Sequence, residues 1–132
     1  MALRWYSTVV ESVDHRALGA WWAEAIGWDV LFDTDEEVVV VPPWAGELGP
    51  TLEFAQRPPG LVFVPVTEPK RTKNRLHLDF APHVDEDRDA VVARLIGLGA
   101  RRVDVGQPPE ATWDVLADPE GNEFCVLSSR EV

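Results

Sequence analysis

Hydrophobic and polar positions along this chain switch between two periods, and the switches repeat. Residues 3–13, LRWYSTVVESV, alternate and are rich in aromatic and β-branched types, as a half-buried strand requires. Asp14 follows as a helix N-cap, and HRALGAWWAEAIG then places Ala17, Leu18, Trp21, Trp22, Ala25 and Ile26 at helical spacing before Gly27. Short strands are predicted over 28–33, 37–42 and 61–66, while TLEFAQ (51–56) reads as an added strand or as part of a long loop. The pattern then restarts. RLHLDFA (75–81) predicts a strand, Asp85 or Asp87 a cap, and RDAVVARLIGLG a helix with Val91, Leu95 and Leu98 on one stripe, Val92 and Ile96 beside it, and Gly99 at its end. Strands over 101–105, 112–117 and 123–128 complete the second half. In DPEG (118–121), proline at the second and glycine at the fourth position predict a type I turn joining the last two strands in a hairpin.

Strand–helix–three strands, read twice, is an internal repeat of pattern and predicts an α+β fold. Each βαβββ module carries one helix on the outer face of its sheet, in a single domain over 1–132. Module one covers about 1–68 and module two about 74–132.

Composition narrows the functional classes. With 23 acidic against 12 basic residues, the net charge is −11, which repels a phosphate backbone and argues against nucleic-acid partners. No apolar run reaches the roughly 18–20 residues that span a bilayer, and no charged-then-apolar leader opens the chain, so no membrane partner and a cytoplasmic location are expected. The single cysteine, Cys125, leaves no intramolecular disulfide and fits a reducing compartment. One segment runs against the acidic balance. KRTKNR (70–75) holds four of the twelve basic residues and reads either as a solvated loop or as an anion clamp at the mouth of a pocket.

Strand alternation sorts the candidate residues. Leu76, Leu78 and Phe80 share one face, expected beneath the second helix, which turns His77 and Asp79 to the opposite side. In EFCVLS, Phe124 and Val126 oppose Glu123, Cys125 and Leu127. Cys125 reads best as a small, soft packing residue. A nucleophilic role would need a base such as His77 within reach, and a ligand role would need further donors. Glu11 and Glu123 are acid–base candidates or solvated strand ends. Six tryptophans are many for this length. Trp21 and Trp22 fit the core, whereas Trp5, Trp28, Trp44 and Trp113 lie on strands or a strand-exit loop, where rings can line a ligand cavity.

Two βαβββ units in a chain of this length resemble the vicinal oxygen chelate superfamily, which includes glyoxalase I, extradiol dioxygenases and bleomycin-resistance proteins. EPKRTKNRLHLDF followed by DPEGNEFCVL is similar to the glyoxalase-like domains common in actinobacteria. The resemblance implies that each module forms half of a cup holding a ligand or a metal. Metal-binding members use four strand positions, typically His or Gln, Glu, His and Glu. Carried over, these fall on Ser7, on Phe63 (or on Glu53, if 51–56 is the relevant strand), on His77 and on Cys125. Phe63 keeps the connection to His77 short and is preferred. This donor set is incomplete, so no metal or other cofactor is expected. The resemblance implies instead a small organic ligand, which the aromatic residues suit if it is planar or aromatic, bound in the cup by Ser7, Phe63, His77, Asp79, Trp113 and Cys125, with a second copy of the chain pairing as a homodimer. Whether the protein is an enzyme is left open. Sequestration as in resistance proteins stands against a metal-dependent or His77-based lyase, isomerase or dioxygenase, and against a ligand-free scaffold.

Overall fold

A computed structural model describes residues 3–132. The chain divides into two compact units, one ending at Pro69 and the other beginning at Lys70, each built on a four-stranded mixed sheet.

In the first unit β1 (Ser7–Ser12) leads into α1 (His15–Ile26), followed by β2 (Asp29–Asp33), β3 (Val38–Val41), the single-turn α2 (Ala45–Leu48) and β4 (Gly60–Pro65). The sheet order is β1-β4-β3-β2, with β1 parallel to β4 and the other pairs antiparallel. Asp14 caps α1 by accepting from the Ala17 N–H at 3.1 Å. Gly27 closes it in the left-handed conformation at φ 69°, its N–H donating to the Ala23 carbonyl, a conformation that costs a residue bearing Cβ. α1 buries Leu18, Gly19, Trp22, Ala23 and Ala25, and the Trp21 and Trp22 rings meet edge to face at 5.2 Å. Gly19 is a packing residue. A Cβ there would sit 2.5 Å from Val38 Cγ1 and 3.4 Å from the Phe63 ring, so its absence lets the helix settle on β3 and β4. The segment 51–56 is not a strand. It forms two short 3₁₀ turns, Gly49–Thr51 and Phe54–Gln56, with Glu53 exposed between them.

The second unit repeats the plan with β5 (Leu78–Phe80), α3 (Arg88–Leu98), β6 (Arg101–Arg102), β7 (Asp114–Ala117) and β8 (Glu123–Val126), in the order β5-β8-β7-β6. Asp87, rather than Asp85, caps α3, accepting from the N–H groups of Asp89 and Ala90. Val92 and Leu95 are the residues α3 buries, whereas Ile96 is exposed. The β7–β8 hairpin turns where expected, the Gly121 N–H donating to the Asp118 carbonyl at 2.9 Å. The Asp118 carboxylate, fully buried, accepts from Glu120 N, Asn122 N and Asn122 Nδ2 at 2.9–3.0 Å.

Three strands are shorter than predicted by three residues or more: β1, which begins only at Ser7, and β5 and β6. β6 stops at Arg102 because side chains take over the following backbone: Gln107 bonds to both Val103 O and Val105 N, and Asp104 accepts from Gly106 N. β5 starts only at Leu78 because residues 70–74 turn aside to hold Glu123. Leu76, expected beneath α3 with Leu78 and Phe80, is accordingly 88% exposed.

Candidate functional site

Pairing register assigns the two faces of each sheet. In the second unit Asp79, Cys125 and Val115 lie side by side across β5, β8 and β7. The neighbouring rows, Leu78–Phe124–Leu116 and Phe80–Val126–Asp114, take the opposite face. The Phe80 and Phe124 rings meet edge to face at 6.0 Å there, and Arg88 of α3 pairs with Asp114 at 2.9 Å, which marks that face as the one the helix covers. Asp79 and Cys125 therefore occupy the open face, as alternation predicts.

Around them stands a compact polar group. Cys125 is 5% exposed, and its thiol is raised to about 11 by burial first, then by the charge of Asp79 and a hydrogen bond to it, with Lys73 opposing. The side chain is a neutral thiol at physiological pH and lacks the thiolate character of a nucleophile. Native protein at pH 8 is expected to react with iodoacetamide about 100-fold more slowly than unfolded chain, two pKa steps of lost thiolate. Mass spectrometry of labelling time courses in buffer and in urea checks this. Equal rates would show a reactive cysteine.

Lys73 Nζ lies 3.2 Å from His77 Nε2 and 3.3 Å from Asn74 O, so the ammonium donates to the imidazole in the tautomer that leaves Nε2 unprotonated. His77 is exposed one residue ahead of β5. Glu123, at the start of β8, is held from three directions. Lys70 Nζ pairs with its carboxylate at 3.0 Å, Asn74 N–H donates to the same carboxylate at 3.2 Å, and Asn74 Nδ2 donates to its carbonyl at 3.2 Å. Burial would raise the Glu123 carboxyl, but its own N–H, Lys70 and Asn74 outweigh that and hold it below the ordinary range. The basic segment is thus partly a latch. Its lysines act on the open face, a role that alternation could not reveal because 70–77 is not a strand. The available signal was charge: a basic run in an acidic chain, with a glutamate opening the last strand.

In the first unit the open-face rows are Ser7–Gly60, Val9–Val62–Val39 and Glu11–Val64. Ser7 is on that face, and so is Val9, 56% exposed. Phe63 is not. It shares a row with Val10 and Val38, packs toward Gly19 of α1 and has no exposed surface, which corrects its assignment to the cup. Alternation separates Phe63 from Val62 without saying which one meets the helix, because both are apolar. Trp113, half-buried, immediately precedes β7. Among the described residues, no group of three or more His, Cys, Asp or Glu side chains gathers in a way that could hold a metal ion.

Two βαβββ units define the vicinal oxygen chelate class, and the comparisons narrow it. The family model of the glyoxalase-like domain matches residues 7–127, and the chain belongs to that family. Among solved structures, it is similar to a glyoxalase/bleomycin resistance protein/dioxygenase family enzyme from Burkholderia phytofirmans PsJN, at 16% identity and TM-score 0.69, covering 97% of this chain and 100% of that one. A glyoxalase/bleomycin resistance protein from Albidiferax ferrireducens T118 matches at 18% identity and TM-score 0.60, covering 95% and 98%. Glyoxalase I of Leishmania major matches at 17% identity and TM-score 0.56, covering 96% and 86%. No curated protein gives a significant match. At these identities the structures share a fold, and the activity must be argued from the site.

Proposed function

We propose that this glyoxalase-like protein binds a small planar or aromatic organic molecule over an open sheet face without a metal, sequestering it as resistance proteins do. The observation that carries this reading is the environment of Cys125. Where metal-binding members place the closing glutamate, this chain has a buried thiol kept neutral beside Asp79. The other counterpart positions add little. Ser7 offers a hydroxyl, Phe63 has no donor and is buried against α1, and Glu53 sits in a turn. His77 alone is a good donor, so the residues present do not fit a resident divalent ion, which needs about three protein ligands. What remains suits an organic molecule. In the second unit, Lys73, His77 and Asp79 are polar groups able to orient a ligand over that unit's open face. Exposed Trp5, Tyr6, Val30, Leu31 and Phe32 support pairing with a second copy of the chain.

The experiment is a tryptophan-fluorescence titration with neutral planar aromatics, flavone first, with and without EDTA. Saturable quenching that EDTA leaves unchanged is expected. Quenching that EDTA abolishes, or an absence of saturation across the series, contradicts the reading.

A further inference from the structure

The second unit contains a cavity of about 430 Å³, of the size that holds a small metabolite, and its lining reverses the charge of the chain. Lys70, Arg71, Lys73 and Arg101 face three carboxylates there, Asp104, Glu120 and Glu123. The whole chain has 12 basic against 23 acidic residues. The pairing inside the cavity leaves that excess of one cation unchanged but shows which cations carry it. Glu123 is already neutralised by Lys70 at 3.0 Å, and Asp104 accepts from the Gly106 N–H at 2.8 Å. Among the described residues, Lys73 touches only neutral acceptors, Asn74 O and His77 Nε2. Arg101 forms no ion pair with any described residue. Its guanidinium lies 3.6 Å from where a Cβ on Gly121 would stand, beside the turn that lines the cavity. Two cations without carboxylate partners among the described residues, on one concave surface, form an anion site. A lysine point charge and the planar fork of an arginine together suit an oxyanion.

We infer that this cavity binds the phosphate or carboxylate group of a small organic molecule, held between Lys73 and Arg101. The inference rests on the cavity alone and goes beyond the reading above. Neutral aromatics test that reading, and anions test this one.

The test is a ¹H–¹⁵N NMR titration of the full chain at constant ionic strength, replacing chloride by inorganic phosphate in one arm and by benzoate in the other. Saturable shifts centred on the amides of Lys73, Arg101 and Gly121 are expected, with affinity reduced at least tenfold in Arg101→Gln and in Lys73→Gln and unchanged in Arg94→Gln. Saturation by phosphate alone assigns a phosphoryl ligand, and tighter saturation by benzoate assigns a carboxylate. Linear shifts spread over the surface in both arms, or affinity that survives Arg101→Gln and Lys73→Gln, would overturn the proposal. Arg101 is exposed on a strand of two residues, so its substitution leaves the core intact.

Discussion

Replacing Phe63 by alanine is expected to lower stability by about 3–5 kcal/mol, the range for emptying a buried aromatic site. The ring has no exposed surface, lies in the row of Val10 and Val38, and approaches the backbone of α1 at Gly19. A helix resting on glycine cannot fill the space, because the rigid turn would have to move inward as a unit. Urea unfolding followed by tryptophan fluorescence reads the change, as a lower midpoint at an unchanged slope. The same variant separates core from pocket. A ring in the core leaves ligand affinity intact wherever the protein stays folded, whereas a ring lining the ligand would cost affinity and little stability. Retention of stability within about 1 kcal/mol would return Phe63 to the open face.

The second large effect is expected at Asp118. Its carboxylate is fully buried and accepts three hydrogen bonds that shape the turn between β7 and β8. Asp118→Ala removes the acceptor and strands those donors inside the hairpin, at a cost of about 3 kcal/mol. Asp118→Asn retains one carbonyl oxygen but sets an amide against a donor, and should recover about half of the loss. Thermal unfolding of both variants checks the order. An alanine variant as stable as the asparagine one would mean that water satisfies the turn and that the carboxylate contributes little.

These two residues also show what the sequence could reveal. Asp118 was legible because turn chemistry is local: Asp-Pro-Glu-Gly carries its own geometry, and the hairpin formed where it points. The same holds for the helix ends, where Asp14, Gly27, Asp87 and Gly99 stand as caps. Phe63 was not legible from its strand. Leu61, Val62, Phe63 and Val64 are all apolar, so period two splits them without orienting the sheet. Gly19 held the missing information, since a glycine inside an apolar helical stripe marks the place where a bulky strand residue comes close. Leu76 failed for a different reason. Its strand was cut short by the latch on Glu123, a contact between residues 49 positions apart that no local pattern encodes. Alternation gave the faces of Asp79 and Cys125, but the register that sets them side by side, with Lys73 near them, was not legible in either strand alone.

The claim of metal independence is tested most directly by metal content per chain, measured by mass spectrometry of elements on untagged protein purified without chelators, for wild type and His77→Ala. The account predicts well under 0.1 equivalent of zinc, iron, manganese or nickel in both, and no thermal shift on adding divalent ions. Close to one equivalent in the wild type, lost in His77→Ala, would contradict it and make Cys125 and Glu53 the next ligands to examine.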